Sequence, residues 1–256
     1  MFKPVFAGLL FLTHLGAASL LSAPAQANNI ADNLAEPHLF IKPGGAQGAQ
    51  VALTLDACSG KTDLRILNML VEEKIPATFF ITSRWLQHNQ PAMDIMLAHP
   101  DLFQIENHGA QHVPAITTIP TMYGIKTAGS LEAVTKEVQS GADAIKAAGA
   151  PQPQWYRDAT ARYSKDAITH IEKMGFQIGG YSLNADMGAS LSAGSTEKRI
   201  LNARDGDVII AHINQPTRHA GEGVASGILK LKKRGMRFVR LKDVESSRSV
   251  LSDAKH

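Results

Sequence analysis

Two histidines four residues apart, His108 and His112, stand just past a short apolar run, Leu102-Phe-Gln-Ile-Glu-Asn107. On a helical turn, residues at that spacing share a face, so both imidazoles could reach one cation. Zinc accepts two or three imidazoles, with a carboxylate completing the set and a position left open for water. Taken alone, the spacing fits a loop cap beside a surface histidine better. The metal reading gains weight because Asp56, Arg157, Asp186 and His212, all residues of catalytic type, also fall at or just past the ends of predicted strands.

The elements that must deliver those residues alternate along the chain. Val51–Asp56, Ala77–Thr82, Phe103–Glu106, Trp155–Arg157, Phe176–Leu183, Asp207–His212 and Arg237–Leu241 read as strands. Helical patterns fall between them. The first has Leu64, Leu67, Leu70 and Val71 on one stripe behind a cap at Thr62 or Asp63, and others cover Pro91–Ala98 and Leu131–Ile145 after Ser130. Lys165–Met174, Thr196–Ala203 and Val224–Arg234 complete the set. The excursion Val113–Ser130, with Pro114, Pro120, Gly124 and Gly129, has no clear period, and loops of that length are commonly functional. About seven strand–helix units with continuous apolar strands predict a distorted (β/α) barrel of about seven parallel strands with helices outside. Chemistry in such a barrel belongs at the C-terminal strand ends. An open doubly wound sheet is the alternative, weakened because no Gly-rich phosphate loop follows the first strand.

The ends and the composition set bounds. Residues 1–27 read as a signal peptide: Lys3 opens it, apolar runs follow, and Ala25-Gln26-Ala27 forms a small-residue cleavage site. Residues 28–48 read as a lead-in arm, 49–244 as the catalytic domain and 245–256 as a polar tail. Of 26 Lys and Arg, only Lys3 lies in the signal, so 25 basic residues face 23 acidic ones in the mature chain. That balance points to neither nucleic acid nor an acidic membrane as partner. No other segment is apolar and long enough to span a bilayer, so the mature protein is expected in the periplasm or outside the cell. Its single cysteine, Cys58, excludes an internal disulfide and reads as a small buried residue. Oligomeric state is not encoded in any feature of the sequence.

Five motifs stand in order over roughly Val51 to Val244: Thr54-Leu-Asp-Ala57, the pair His108 and His112, Tyr156-Arg-Asp-Ala159, Tyr181-Ser-Leu-Asn-Ala-Asp186, and Ile210-Ala-His212. Together they resemble those of the polysaccharide deacetylases, carbohydrate esterase family four. The resemblance implies hydrolysis of an N-acetyl group on an amino sugar of a glycan, with a divalent metal, zinc foremost. It implies His108, His112 and Asp56 as candidate metal ligands. Catalysis would fall to Asp56, to His212 as acid to the leaving amine, to Asp186 orienting His212, and to Arg157 orienting the base carboxylate.

The chain departs from the family pattern at Ala57, where a second aspartate is expected, and lacks the proline after Arg157. Asp56 is therefore open to two roles, base or metal ligand. If it is the ligand, Glu106, Asp158 or Asp63 would have to supply the missing carboxylate. Asn214, Gln215, Arg218 and His219 could line a sugar groove, and Trp85, Tyr123 and Trp155 could stack on sugar rings, although core packing suits Trp155 better. Two other functions fit the same residues: an amidohydrolase of a small non-sugar amide, and a glycan-binding protein that has lost catalysis.

Overall fold

The central strands are apolar toward one side and partly polar toward the other, and this alternation sets which side faces the helices. In β2 (Gln50–Ala57), Val51, Leu53, Leu55 and Ala57 join Ile66, Leu67 and Leu70 of α1 (Leu64–Glu72) in the main core. Thr54 and Asp56, at the alternate positions, lie on the concave face, where Arg157 bonds both. The same division runs through β3 (Ala77–Ile81), β4 (Phe103–Asn107) and β11 (Val208–His212), whose Phe79, Ile105 and Ile209 enter that core.

The computed structural model describes Met1 and residues 33–252. Its main sheet runs β10 (Leu183–Asn184), β11, β2, β3, β4, β7 (Trp155–Tyr156) and β9 (Gln177–Ile178), all parallel, with β12 (Arg237–Val239) added beside the start of β2. Helices α2 (Ser83–Leu86), α3 (Gln90–Ala98), α4 (Leu131–Ala147), α5 (Lys165–Lys173), α6 (Ala193–Leu201) and α7 (Ala220–Lys233) connect the strands from outside. Asp63 caps α1 by accepting from Arg65 N, and Ser130 caps α4 by accepting from Ala133 N. This is the expected distorted barrel of seven strands along one curled sheet. Among the described residues, no helix is long and apolar enough to cross a membrane.

The barrel has a gap. Its edge strands β9 and β10 are neighbours in sequence, so the single strand predicted over Phe176–Leu183 is two short strands on opposite edges. Gly179 and Gly180 carry the chain across. A Cβ on Gly179 would stand 2.7 Å from the Phe80 ring, and one on Gly180 would stand 2.2 Å from Pro37 O. The crossing is covered by β1 (Leu34–Ile41), whose Leu39 N donates to Tyr181 O at 3.3 Å and whose Ile41 N donates to Gly206 O at 2.9 Å.

The described part of the predicted arm is thus a strand, with Leu39 and Ile41 buried. Most of the predicted polar tail is β13 (Ser246–Ser252), antiparallel to β1. Polar composition concealed both: β13, exposed over residues 246–249, is held by backbone pairing to β1, and β1 sits between β13 and β8 with its apolar side chains spaced among polar ones. The signal sequence expected over residues 1–27 lies, Met1 apart, outside the described residues.

The long excursion closes as a hairpin of β5 (Thr121–Met122) and β6 (Ile125–Lys126). Its two-residue turn, Tyr123-Gly124, has φ of 50° and 79°, the sign pattern of a type I′ turn. The short β8 (Tyr163–Ser164) pairs with β1.

Gly180→Ala should lower stability by about 1–3 kcal/mol, because the new methyl meets a backbone oxygen of β1 and cannot be relieved by a rotamer change. Gly194→Ala, where a Cβ meets nothing within 4 Å, should leave stability equal or slightly higher. Denaturant unfolding of the two variants checks this pair.

Candidate active site

The concave face of the sheet brings the sequence-predicted residues together at the ends of β2, β4, β7 and β11. Arg157, fully buried after β7, is the hub. Its Nη1 donates to Asp56 Oδ1 at 2.8 Å and to Thr54 Oγ1 at 2.9 Å. Its Nε and Nη2 donate to Gly179 O at 3.0 Å and Gly180 O at 2.8 Å, and the guanidinium carbon lies 4.1 Å from the centre of the Phe80 ring. One side chain thereby ties the carboxylate of β2 to the segment crossing the gap. Burial pushes the Asp56 carboxyl upward, but the guanidinium, with His108 and His212, outweighs it and holds the group below its ordinary range.

His108 and His112 converge, with ring centres 5.0 Å apart and planes at 75°. The expected helical turn is not what brings them there. Residues 108–112 form a loop in which Gly109 has φ +88° and His112 has φ +66°, a left-handed conformation unusual for a side-chain-bearing residue. Glu137 of α4 holds that loop: its Oε1 accepts from Gln111 N at 2.8 Å and Val113 N at 3.1 Å. His108 Nδ1 donates to Arg157 O at 2.9 Å, which turns Nε2 toward the site. Burial pulls the ring down, but Asp56 and Cys58 raise it to about 9, so a cation there would take the Nε2 lone pair by displacing its proton.

The neighbour of that lone pair is a residue the sequence reading set aside. Cys58 Sγ lies 3.5 Å from His108 Nε2, and the donor atoms of Cys58, His108 and His112 all fall within 4.8 Å of one another. The reason is strand alternation. Ala57 faces the helix side in the main core, and Cys58, two residues after Asp56, returns to the concave side. Burial pushes the Cys58 thiol up, yet His108, His112 and His212 around it bring it well below its ordinary value. Asp56 stands at the edge of this cluster, its Oδ2 3.8 Å from His108 Nε2 and its Oδ1 taken by Arg157.

None of the three acids considered as an extra carboxylate joins the cluster. Asp63 pairs with Arg65 at 2.6 Å. Asp158 holds the excursion and the next turn, accepting from Ala115 N and from Thr160 N at 2.7 Å. Glu106 sits one pleat repeat below His108 and accepts from Gln154 N and Trp155 N at 2.7 Å each. It lines a separate hollow of about 580 Å³ where β4, β7 and β9 begin, and burial pushes it up to about 7.

Across the cluster, Asp186 accepts from the His212 backbone N at 2.7 Å and pairs with ring Nδ1 at 3.0 Å. Burial pulls the His212 imidazole down, but Asp186 and then Cys58 raise it well above its usual value. His212 and Asp56 open into a cleft of about 630 Å³, walled by Tyr123 and Ile125 of the hairpin, by Tyr181, and by Met187. Asp186 thus lands beside its predicted partner. Trp85 and Trp155 are buried in the core, and Tyr123, 70% exposed, is the one of the three aromatic candidates that reaches the cleft.

A cation of the size of zinc fits this donor set. His112 Nε2 is buried without a hydrogen-bond partner, and two imidazoles with a thiol form a compact trio.

The sequence profile of the polysaccharide deacetylase family matches residues 44–179. Comparison with curated protein sequences gives no match. Solved structures share the fold. A family four pseudoenzyme from Bacillus anthracis superposes with TM-score 0.63 at 19% identity, over 77% of this chain and 65% of that one, so this chain spans less than two thirds of that protein. A peptidoglycan deacetylase from Bacillus subtilis gives 0.62 at 20% identity, over 76% and 89% of the two chains. A family 4 carbohydrate esterase from Streptomyces lividans, in complex with acetate, gives 0.59 at 18% identity, over 74% and 91%.

Arg157→Met should cost about 3–5 kcal/mol, because it leaves the Asp56 charge buried and unpaired, and adding Asp56→Asn should recover part of that loss. Chemical unfolding of the metal-free single and double variants tests it. Glu106, in its separate hollow, gives a pH test. Its folded pKa lies above the unfolded 4.5, so the stability it contributes is full below pH 4.5 and is lost as pH rises through about 7. Glu106→Gln should therefore gain on the wild type by about 3 kcal/mol between those limits, read from paired unfolding curves.

Proposed function

Since the chain belongs to the polysaccharide deacetylase family, we propose that it is an exported, metal-dependent hydrolase that removes N-acetyl groups from amino sugars of a polysaccharide such as peptidoglycan or an exopolysaccharide. The observation that carries the reading is the placement of two differently prepared groups on opposite sides of one cation cluster. Asp56 is kept ionised by Arg157, and His212 is kept protonated by Asp186. That is the acid and base division that amide hydrolysis needs.

His108 and His112 would hold the metal, with one further donor from the cluster. A bound divalent cation supplies Lewis acidity toward the amide carbonyl and lowers the pKa of water in the site. Asp56 takes the proton from the attacking water, and its bond to Arg157 fixes the direction of the free oxygen. His212 delivers a proton to the nitrogen as the carbon–nitrogen bond breaks, and Asp186 fixes the tautomer that leaves the other ring nitrogen facing the cleft. Tyr123 and Tyr181 give the cleft flat faces suited to pyranose rings.

Export is read from the leader-like segment at residues 1–27, and the periplasm or the cell exterior is where such glycans are reachable. A binding protein without catalysis would have no use for both prepared pairs. A small non-sugar amide would leave much of the cleft unfilled.

Acetate release from N-acetylglucosamine oligomers, and its abolition by chelator, is the expected result. Asp56→Asn should keep the bound metal while losing turnover, and His212→Ala should lower kcat by about 10²–10⁴-fold. Retained glycan binding with neither acetate release nor bound metal would overturn the hydrolase reading. Release from small amides but never from oligomers would move the substrate to the smaller class.

A further inference from the structure

The geometry points to Cys58 as the third metal ligand, which makes the centre a thiolate–bis-imidazole site for a thiophilic divalent cation such as zinc. This rests on the reading of His108 and His112 as a cation site and names its missing donor.

Three observations carry it. First, Asp56, the carboxylate nearest the pair, is committed elsewhere: Arg157 holds Oδ1 at 2.8 Å, and Asp56 is not one of the residues whose donor atoms close within 4.8 Å of one another. Second, both imidazoles are prepared as ligands. The contact of His108 Nδ1 with Arg157 O, at 2.9 Å, fixes the tautomer that presents Nε2, as outer-sphere partners do in metal sites. His112 Nε2 is buried with nothing bonded to it. Third, Cys58 Sγ faces them at 3.5 Å from His108 Nε2. A sulfur at about 2.3 Å and a nitrogen at about 2.0 Å from one tetrahedral ion stand about 3.5 Å apart.

The chemistry of the donors selects the metal. A cation held by two neutral imidazoles alone has no ligand charge to offset its own. A thiolate provides one negative charge and a soft donor, which favours zinc over magnesium or manganese, ions that prefer carboxylate and water. Three protein ligands with an open fourth position is the arrangement of a reactive rather than a purely structural zinc site. Binding releases the Cys58 proton, if one is present, together with any proton on the two ring nitrogens, to solvent.

Cobalt(II) added to the metal-free protein is the test. A sulfur-to-cobalt charge-transfer band in the near ultraviolet is expected, and Cys58→Ser should abolish it and weaken cobalt binding by more than about 100-fold, beyond what losing an outer-sphere partner costs. Zinc should also protect Cys58 of the wild type from iodoacetamide, a readout that needs no variant to fold. Cys58→Asp should bind cobalt without the band and shift preference toward manganese. Absence of the band, or equal alkylation with and without zinc, would overturn the assignment. Chelator-sensitive acetate release without the band would reject Cys58 and keep the deacetylase reading. The band without acetate release would keep the site and reject that reading.

Discussion

The buried pair between Arg157 and Asp56 is the constraint around which the rest is arranged. A guanidinium with no access to water needs a countercharge and acceptors for its N–H groups. Asp56 and Thr54 at the end of β2 and two carbonyls in the crossing segment meet that need. The Phe80 ring covers one of its faces. Those acceptors lie on an interior strand and on the segment that crosses the gap, so satisfying the guanidinium ties the two together. The same bonds decide the state of the carboxylate, which remains charged in a place where burial alone would neutralise it.

Around that pair, the site is assembled from backbone devices more than from regular elements. The imidazole of His112 is delivered by a left-handed residue, and Glu137 on α4 accepts the backbone N–H groups on either side of it. Local conformations of this kind cost free energy and persist only where the surroundings hold them. Asp186 does the corresponding work across the cleft, bonding both the backbone and the ring of His212. Asp56 and His212 therefore each have an orienting partner, Arg157 and Asp186, that does not itself line the cleft.

Solved structures with this fold include a deacetylase and a pseudoenzyme, and a variant of that pseudoenzyme has restored activity. The shared sheet thus does not separate active from inactive members, and function has to be argued from the side chains at the strand ends. In this chain they include the Arg157–Asp56 and Asp186–His212 pairs, with a cysteine beside the imidazoles.

The alternation of strands and helices, the barrel, the caps at Asp63 and Ser130, and the gathering of Asp56, His108, His112, Arg157, Asp186 and His212 all follow from local pattern and residue type, which a linear sequence carries directly. The comparison with known families agrees on the fold and the family. What the chain could not disclose by itself depended on contacts between distant segments. Phe176–Leu183 reads as one apolar run, and only closure of the barrel splits it between two edges. The arm and the tail read as polar leftovers, and only the tertiary structure pairs them with each other and lays the arm over the gap. Ala57 reads as a lost ligand and Cys58 as filler, because sequence position does not show which face of β2 each residue takes at the end of the strand. Residue chemistry and periodicity are written locally; the side on which a side chain emerges, and what meets it there, is settled only when the strands pack.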